Sequence, residues 1–286
     1  SQIAEEKNIP MLTFLLEKVA LDKSLMQLDG IHPNQKAQQI IANQVEKELS
    51  IAKDASHKSA DLLKNKKNVV NDVISDEGRD IKLKADLESE KIIKDYLKAH
   101  SKFPILAEES GQSNNLGSSY WVVDPLDGTS NYSRNFPVCC ISIALIYENE
   151  IVLGVINDFN RDLVYEGSIV SSAKMNSKPI SVSNIIQKDK ATLATGLPAK
   201  GDFGRDAMLR LSDEFIAWKK VRMIGSAAMS CAYVASGQFD QYQENGIFLW
   251  DIAAGLAIIK AAGGNYSLKT YDDSFKVDVV ANNNFL

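Results

Sequence analysis

Apolar positions along the chain recur with two different periods. Ile51, Ala52, Ala55, Ala60, Leu62 and Leu63 follow an approximately helical repeat, and Leu87, Ile92, Ile93, Tyr96 and Leu97 predict a second helix beginning beside Asp86. A third helix carries Ile252, Leu256 and Ile259 on one face and is stopped by Gly263-Gly264. Between them, continuous apolar runs predict strands. Tyr120-Trp121-Val122-Val123 is one, and 138–147, 151–158 and 163–166 form a meander with turns at 148–150 and 159–161. The polar, Gly-, Ser- and Asn-rich stretch 111–119 reads as a surface loop. Near the start, Asp29-Gly30 reads as a turn and Pro33-Asn34 as the opening of a helix with Ile40, Ile41, Val45 and Leu49. Helices mixed with largely antiparallel strands give an α/β or α+β fold, and periodicity alone takes the assignment no further.

Composition narrows the class of protein. The 286 residues are 45% apolar and 24% charged, as in a globular domain. With 32 basic against 37 acidic side chains, the net charge of −5 offers no electrostatic footprint for nucleic acid. No apolar segment reaches membrane-spanning length. The polar, acidic start, Ser1 to Lys7, is unlike a secretion signal, and a first residue other than Met is compatible with further residues upstream. Three cysteines close no disulfide framework; Cys139 and Cys140 sit in a strand-like run where they would face opposite sides. Reduced, buried thiols are the expectation, and with them a cytoplasmic location.

The densest chemistry follows the first predicted strand. Asp124-Pro125-Leu126-Asp127-Gly128-Thr129 places two carboxylates, a turn and a hydroxyl at a strand's carboxyl end, where ligand sites of α/β sheets form. Closely spaced oxygen ligands suit a hard cation such as Mg²⁺. Asp-Pro and Asp-Gly also favour turns, and such a turn would aim both acids at one place. Two distant segments add acids: Glu108-Glu109 after the apolar stretch 103–107, and Asp251 in Trp250-Asp251-Ile252-Ala253-Ala254-Gly255, in the first turn of its helix. Asp251 could merely complement that helix's dipole, and Asp86 could merely cap its own. Glu109 is expected to be a solvated or structural partner. His57 and His100 are expected on the surface, and Phe215, Trp218 and Tyr233 in the core or at a subunit contact.

Together, Glu108, the Asp124–Thr129 block and Asp251 resemble the inositol monophosphatase family over roughly residues 50–286. The resemblance implies a layered α-β-α-β-α sandwich and a Mg²⁺-dependent, lithium-sensitive phosphomonoesterase that commonly forms a homodimer. It implies two or three Mg²⁺ ions held by Glu108, Asp124, the Leu126 carbonyl, Asp127 and Asp251. Glu108, Thr129 and Asp86 would activate the attacking water. Asp127, the backbone of Gly128, Thr129 and Ser130, and Gly225, Ser226, Ala227, Glu244 and Asp251 would meet a small phosphorylated substrate. Glu244 favours a polyol or sugar phosphate. Leu126, the stretch Lys82-Leu83-Lys84-Ala85-Asp86 and the stretch Ser171-Ser172-Ala173-Lys174-Met175-Asn176 depart from the inositol-enzyme pattern, and Leu126 is common among 3′(2′),5′-bisphosphate nucleotidases. These relatives, fructose-1,6-bisphosphatases and a non-catalytic metal-binding scaffold are the alternatives.

Residues 1–49 carry a different resemblance. The stretch from Met11 through Asp29-Gly30-Ile31-His32 is similar to the C-terminal end of SGNH (GDSL) esterases, with Asp29 and His32 at the acid and base positions. That chemistry needs a nucleophilic Ser, and no Gly-Asp-Ser block precedes these residues. A remnant or fusion segment, short and mainly helical, is the expectation for 1–49.

Overall fold

The computed structural model describes residues 23–25, 34–65, 72–77, 80–113, 116–197, 204–271 and 275–286. Asp29 and His32, and with them the esterase-like motif, lie outside these residues.

Helix α1 spans Gln35–Asn65. Asn34 starts it, its side-chain oxygen accepting the N–H groups of Lys36 (3.0 Å) and Ala37 (3.2 Å). The helix buries Val45, Leu49, Ala52, Ala55 and Leu63 and runs unbroken through positions 49 and 50, where the sequence predicts a meeting of two segments. A hairpin of β1 (Val73–Glu77) and β2 (Asp80–Leu83) leads into α2 (Lys84–His100). Strands β3 (Ile105–Ala107), β4 (Gly111–Gln112) and β5 (Tyr120–Asp127) follow, then the short helix α3 (Thr129–Ser133). The expected loop 111–119 thus opens with two residues that pair with β3.

The meander forms as the alternation of apolar runs and turns predicts. It comprises β6 (Cys140–Tyr147), β7 (Glu150–Asp158) and β8 (Leu163–Ser168), and two further strands that the apolar runs do not predict, β9 (Ser171–Met175) and β10 (Lys178–Pro179), extend it. Then come β11 (Thr192–Thr195), α4 (Arg205–Ile216), β12 (Lys220–Arg222), α5 (Ala227–Ala235) and β13 (Gln241–Phe248). Helix α6 (Leu249–Ala261) and strands β14 (Asn265–Thr270) and β15 (Lys276–Asn282) complete the described chain.

Eight strands, in the order β10-β9-β8-β7-β6-β5-β3-β4, form one sheet, and five, β12-β11-β13-β15-β14, form another. Helices α1 and α2 cover the outer face of the large sheet, and α5 and α6 lie between the two sheets. Helix α4 lies against the far side of the small sheet, where Phe215 packs on Ala191, Leu193 and Trp218. The result is an α-β-α-β-α sandwich. Both faces of the large sheet are buried, which explains why its central strands read as unbroken apolar runs rather than alternating ones. Cys139 joins the core under α1 and α2 while Cys140 joins the core under α5 and α6, so the adjacent thiols do face opposite sides. All three cysteines are buried and none is in a disulfide.

This layering positions one functional edge. Strands β3 and β5 run parallel, so both present their carboxyl ends together, and α6 begins against the same sheet. The β5–β6 ladder shifts register between Asp124 and Asp127, where Pro125 has no N–H to donate.

Candidate active site

Asp124 and Asp127 occupy the end of β5 and are almost fully buried. Asp124 accepts the Leu126 N–H (3.0 Å), which closes the local turn. The Thr129 hydroxyl lies 3.0 Å from the Leu126 carbonyl and 3.2 Å from Asp86, and its single proton serves one of them at a time. Asp86 also accepts the Leu83 N–H (2.6 Å) from the third position of α2. Its expected place as the N-cap is therefore corrected. The cap is Leu83, which has no side-chain oxygen, so a carboxylate one turn in reaches back instead. Ser89 of the same helix donates to the Pro125 carbonyl (2.8 Å), fastening the β5 turn to α2.

Gly128 sits at φ +88°, where L side chains are strained, and a Cβ there would lie 2.8 Å from the Val138 carbonyl. The close approach it permits is to Val138 and Cys139. Ser130, by contrast, is exposed, in the first turn of α3.

Asp127 reaches across to α5. Its carboxylate accepts the Ser226 hydroxyl (2.5 Å) and the backbone N–H groups of Ala228 (2.8 Å) and Ala227 (3.3 Å), and the Cys140 thiol is 3.7 Å away. An acid at a helix N-terminus gains from both the orphan N–H groups and the helix dipole. The stretch 225–227, assigned by resemblance to the substrate, thus directs hydrogen bonds of Ser226 and Ala227 to Asp127. The Asn131 amide of α3 donates to the carbonyls of Val138 (2.7 Å), Ile224 (2.8 Å) and Gly225 (3.2 Å), which ties the start of this stretch to α3.

Glu108 follows β3 directly, its N–H donating to the Val123 carbonyl of β5 (3.1 Å), and its carboxyl group is near enough to that of Asp124 for the two to interact. Glu109 is a structural partner: its side chain pairs with Lys82 (3.0 Å) and its N–H donates to Glu90 (2.9 Å). Asp251 lies in the first turn of α6 and accepts the Phe248 N–H (3.1 Å), the same device Asp86 uses in α2. His57 and His100 are exposed.

These acids share one field. Burial, then repulsion from Asp251, Glu109 and Asp86, pushes the Glu108 carboxyl well above the usual range. Burial, then Glu108, Asp127 and Asp251, does the same to Asp124. Burial raises Asp127 too, while its bonds from Ser226, Ala228 and Ala227 pull it back. Asp86 is pushed up to about 7, chiefly by burial. Six acids from four separate segments, Asp86, Glu108, Glu109, Asp124, Asp127 and Asp251, therefore interact, although no group of three His, Cys, Asp or Glu among the described residues forms a ready metal cage. The donor set nonetheless fits a hard divalent cation: it is all oxygen, and several like charges cannot be ionised together without a counter-charge. Mg²⁺ suits a partial set because it keeps several waters and takes few protein carboxylates.

A model of the inositol monophosphatase family matches residues 32–283. The chain belongs to the inositol monophosphatase family. It is 39% identical over 174 residues to a Nus factor SuhB of Xylella fastidiosa, covering 60% of this chain and 63% of that one. It is 34% identical over 250 residues to a fructose-1,6-bisphosphatase/inositol-1-monophosphatase of Aquifex aeolicus, covering 85% and 93%. Among solved structures, an inositol monophosphatase from Anabaena superposes with a TM-score of 0.72 at 30% identity, over 85% of this chain and 92% of that one.

Within this inositol monophosphatase fold, Glu244 of β13 also feels the charge of Asp127. Burial raises its carboxyl to about 7, the Tyr242 hydroxyl bonds it (2.9 Å), and Asp127 repels it. Sequence reasoning missed Tyr242, Gly196, Ser89 and the Ala228 N–H. For Tyr242 a signal existed, since strand period puts 242 and 244 on one face. Ser226 before the apolar run 227–235 likewise reads as an N-cap, but that its hydroxyl serves Asp127 depends on tertiary closure.

Proposed function

We propose that the chain is a Mg²⁺-dependent phosphomonoesterase acting on myo-inositol monophosphate or a related polyol phosphate. The observation that carries this is the convergence of Asp124 and Asp127, buried at the end of β5, with Glu108 at the end of β3 and Asp251 at the start of α6, near enough for Glu108 and Asp124 both to feel Asp251. Two or three Mg²⁺ ions would be held by Glu108, Asp124, the Leu126 carbonyl, Asp127 and Asp251. When bound, Mg²⁺ supplies Lewis-acid polarisation of phosphoryl oxygens and makes a water more acidic.

The chain's own residues supply the rest. The Thr129 hydroxyl stands between Asp86 and the Leu126 carbonyl, so it can accept a proton from water while donating its own to Asp86. Asp86, titrating at about 7, can hold that proton near neutral pH. Glu108 orients the same water. The first N–H groups of α3, at Gly128, Thr129 and Ser130, would meet phosphate oxygens. Glu244 would accept hydrogen bonds from vicinal hydroxyls of the substrate. The Aquifex relative, named for two activities, supports sugar bisphosphates as a second substrate class. The homodimer implied by the resemblance is part of the proposal and is checked by sedimentation.

Phosphate release from inositol 1-phosphate, fructose 1,6-bisphosphate and adenosine 3′,5′-bisphosphate, with Mg²⁺ and with chelator, tests the reading. The polyol phosphate is expected to be preferred, with turnover abolished by chelator. A preference for the nucleotide by about tenfold in kcat/KM, roughly 1.4 kcal/mol of discrimination, reverses the substrate order.

A further inference from the structure

We infer that Gly196 and Tyr242 are positioning residues that set substrate selectivity by fixing the orientation of the Glu244 carboxylate. Strands β11 and β13 are parallel, with Thr195 beside Gln243, so the next residues, Gly196 and Glu244, lie side by side. A Cβ at Gly196 would stand 2.2 Å from Glu244 Oε2, 2.7 Å from its Cδ and 2.8 Å from Oε1. All three contacts are to one carboxylate, which therefore lies flat against the glycine.

Tyr242, two residues earlier on the same face, is buried and donates its hydroxyl to Oε2 (2.9 Å). One carboxylate oxygen is thus taken by the protein, which leaves Oε1 to accept from a substrate hydroxyl. Glu244 and Tyr242 lie near the acids proposed as metal ligands, Glu244 feeling the charge of Asp127 and Tyr242 that of Asp251. A carboxylate held on two sides before substrate arrives loses less rotamer freedom on binding a hydroxyl pair. It discriminates for the same reason, since a substrate lacking those hydroxyls leaves a buried acceptor unpaired.

The obstacle a Gly196→Ala side chain meets is the far end of a flexible glutamate, not backbone. The substitution therefore displaces Glu244 rather than unfolding the sheet. No catalytic acid is touched.

This inference rests on the phosphatase reading, and the experiment separates the two. Steady-state kinetics of Gly196→Ala and Tyr242→Phe would be measured at saturating Mg²⁺ on inositol 1-phosphate and on p-nitrophenyl phosphate, which has no vicinal hydroxyls. With inositol 1-phosphate, Gly196→Ala is expected to lower kcat/KM by about tenfold or more, mainly through KM, and Tyr242→Phe by about threefold. With p-nitrophenyl phosphate both variants should stay within about twofold of the parent. Adding Gly196→Ala to Glu244→Ala should cost nothing further, because the group it displaces is already gone. Equal losses on both substrates, no loss on either, or additivity with Glu244→Ala overturns the inference while leaving the phosphatase reading intact. A parent protein that releases phosphate from neither substrate overturns both.

Discussion

Asp127 at the end of β5 and Ser226 at the N-cap of α5 are joined by a 2.5 Å hydrogen bond across 99 residues of sequence. The same hydroxyl accepts the Met229 N–H (3.2 Å), so it starts a helix and orients an acid at once. Because that bond lowers the Asp127 pKa against the effect of burial, it favours the ionised form that a cation needs.

Ser226→Ala should therefore weaken Mg²⁺ activation more than it weakens the fold. Outer partners of metal ligands are worth roughly 10- to 100-fold in metal affinity, while losing the cap costs about 1 kcal/mol. A Mg²⁺ activation curve shifted to higher concentration, with kcat recovered at saturation, is the expected outcome. An unshifted curve would contradict the role given to Ser226.

Asp124→Asn and Asp251→Asn should abolish turnover while raising the melting temperature of the chelator-treated protein. Each removes one like charge from a partly buried cluster of acids, and the amide introduced by Asp124→Asn would keep an oxygen for the Leu126 N–H. The gain expected is about 1 kcal/mol, several degrees at most. A variant that melts lower and retains Mg²⁺-dependent activity would refute both halves.

The pH dependence of the metal-free protein has a definite sign. Asp86 and Glu244 titrate at about 7 when folded, against ordinary values near 4 when unfolded. Below about pH 4 both states are protonated, and the stabilisation these groups give is complete. As pH rises towards about 7 the unfolded chain loses protons that the folded one keeps, so that stabilisation is lost. Thermal melts in chelator should fall between about pH 4.5 and 7.5, and Asp86→Asn should flatten the slope. An unchanged slope would remove Asp86 from the account.

Gly128→Ala should destabilise by about 1–3 kcal/mol, from a left-handed φ and a clash with the Val138 carbonyl. Chemical denaturation measures it. A neutral result would show that the turn after β5 relaxes without consequence.

Much of this is legible in the sequence, for identifiable reasons. Strands β5, β6 and most of β7 are buried on both faces, so their letters are mainly apolar and the turns between them stand out. Helix α1 reads as two pieces because its buried stripe includes polar letters, Glu48, Ser56 and Ser59, which break the apolar period. Ser59 is buried because it bonds Ser89 of α2 (2.6 Å), a contact no local pattern announces. The acids are visible because Asp124, Asp127 and Asp251 stand beside distinctive neighbours. What holds them is not, because Ser226, Gly196 and Tyr242 act through residues far away in sequence or on another strand.

The proposed binding of divalent ions by Glu108, Asp124, Asp127 and Asp251 is tested, without reference to any substrate, by calorimetric titration of the metal-free protein with Mg²⁺. Saturable binding that weakens about tenfold or more in Asp124→Asn, through loss of one ligand charge, is the predicted result. No binding heat at millimolar-order Mg²⁺, or identical isotherms for the two proteins, would contradict it.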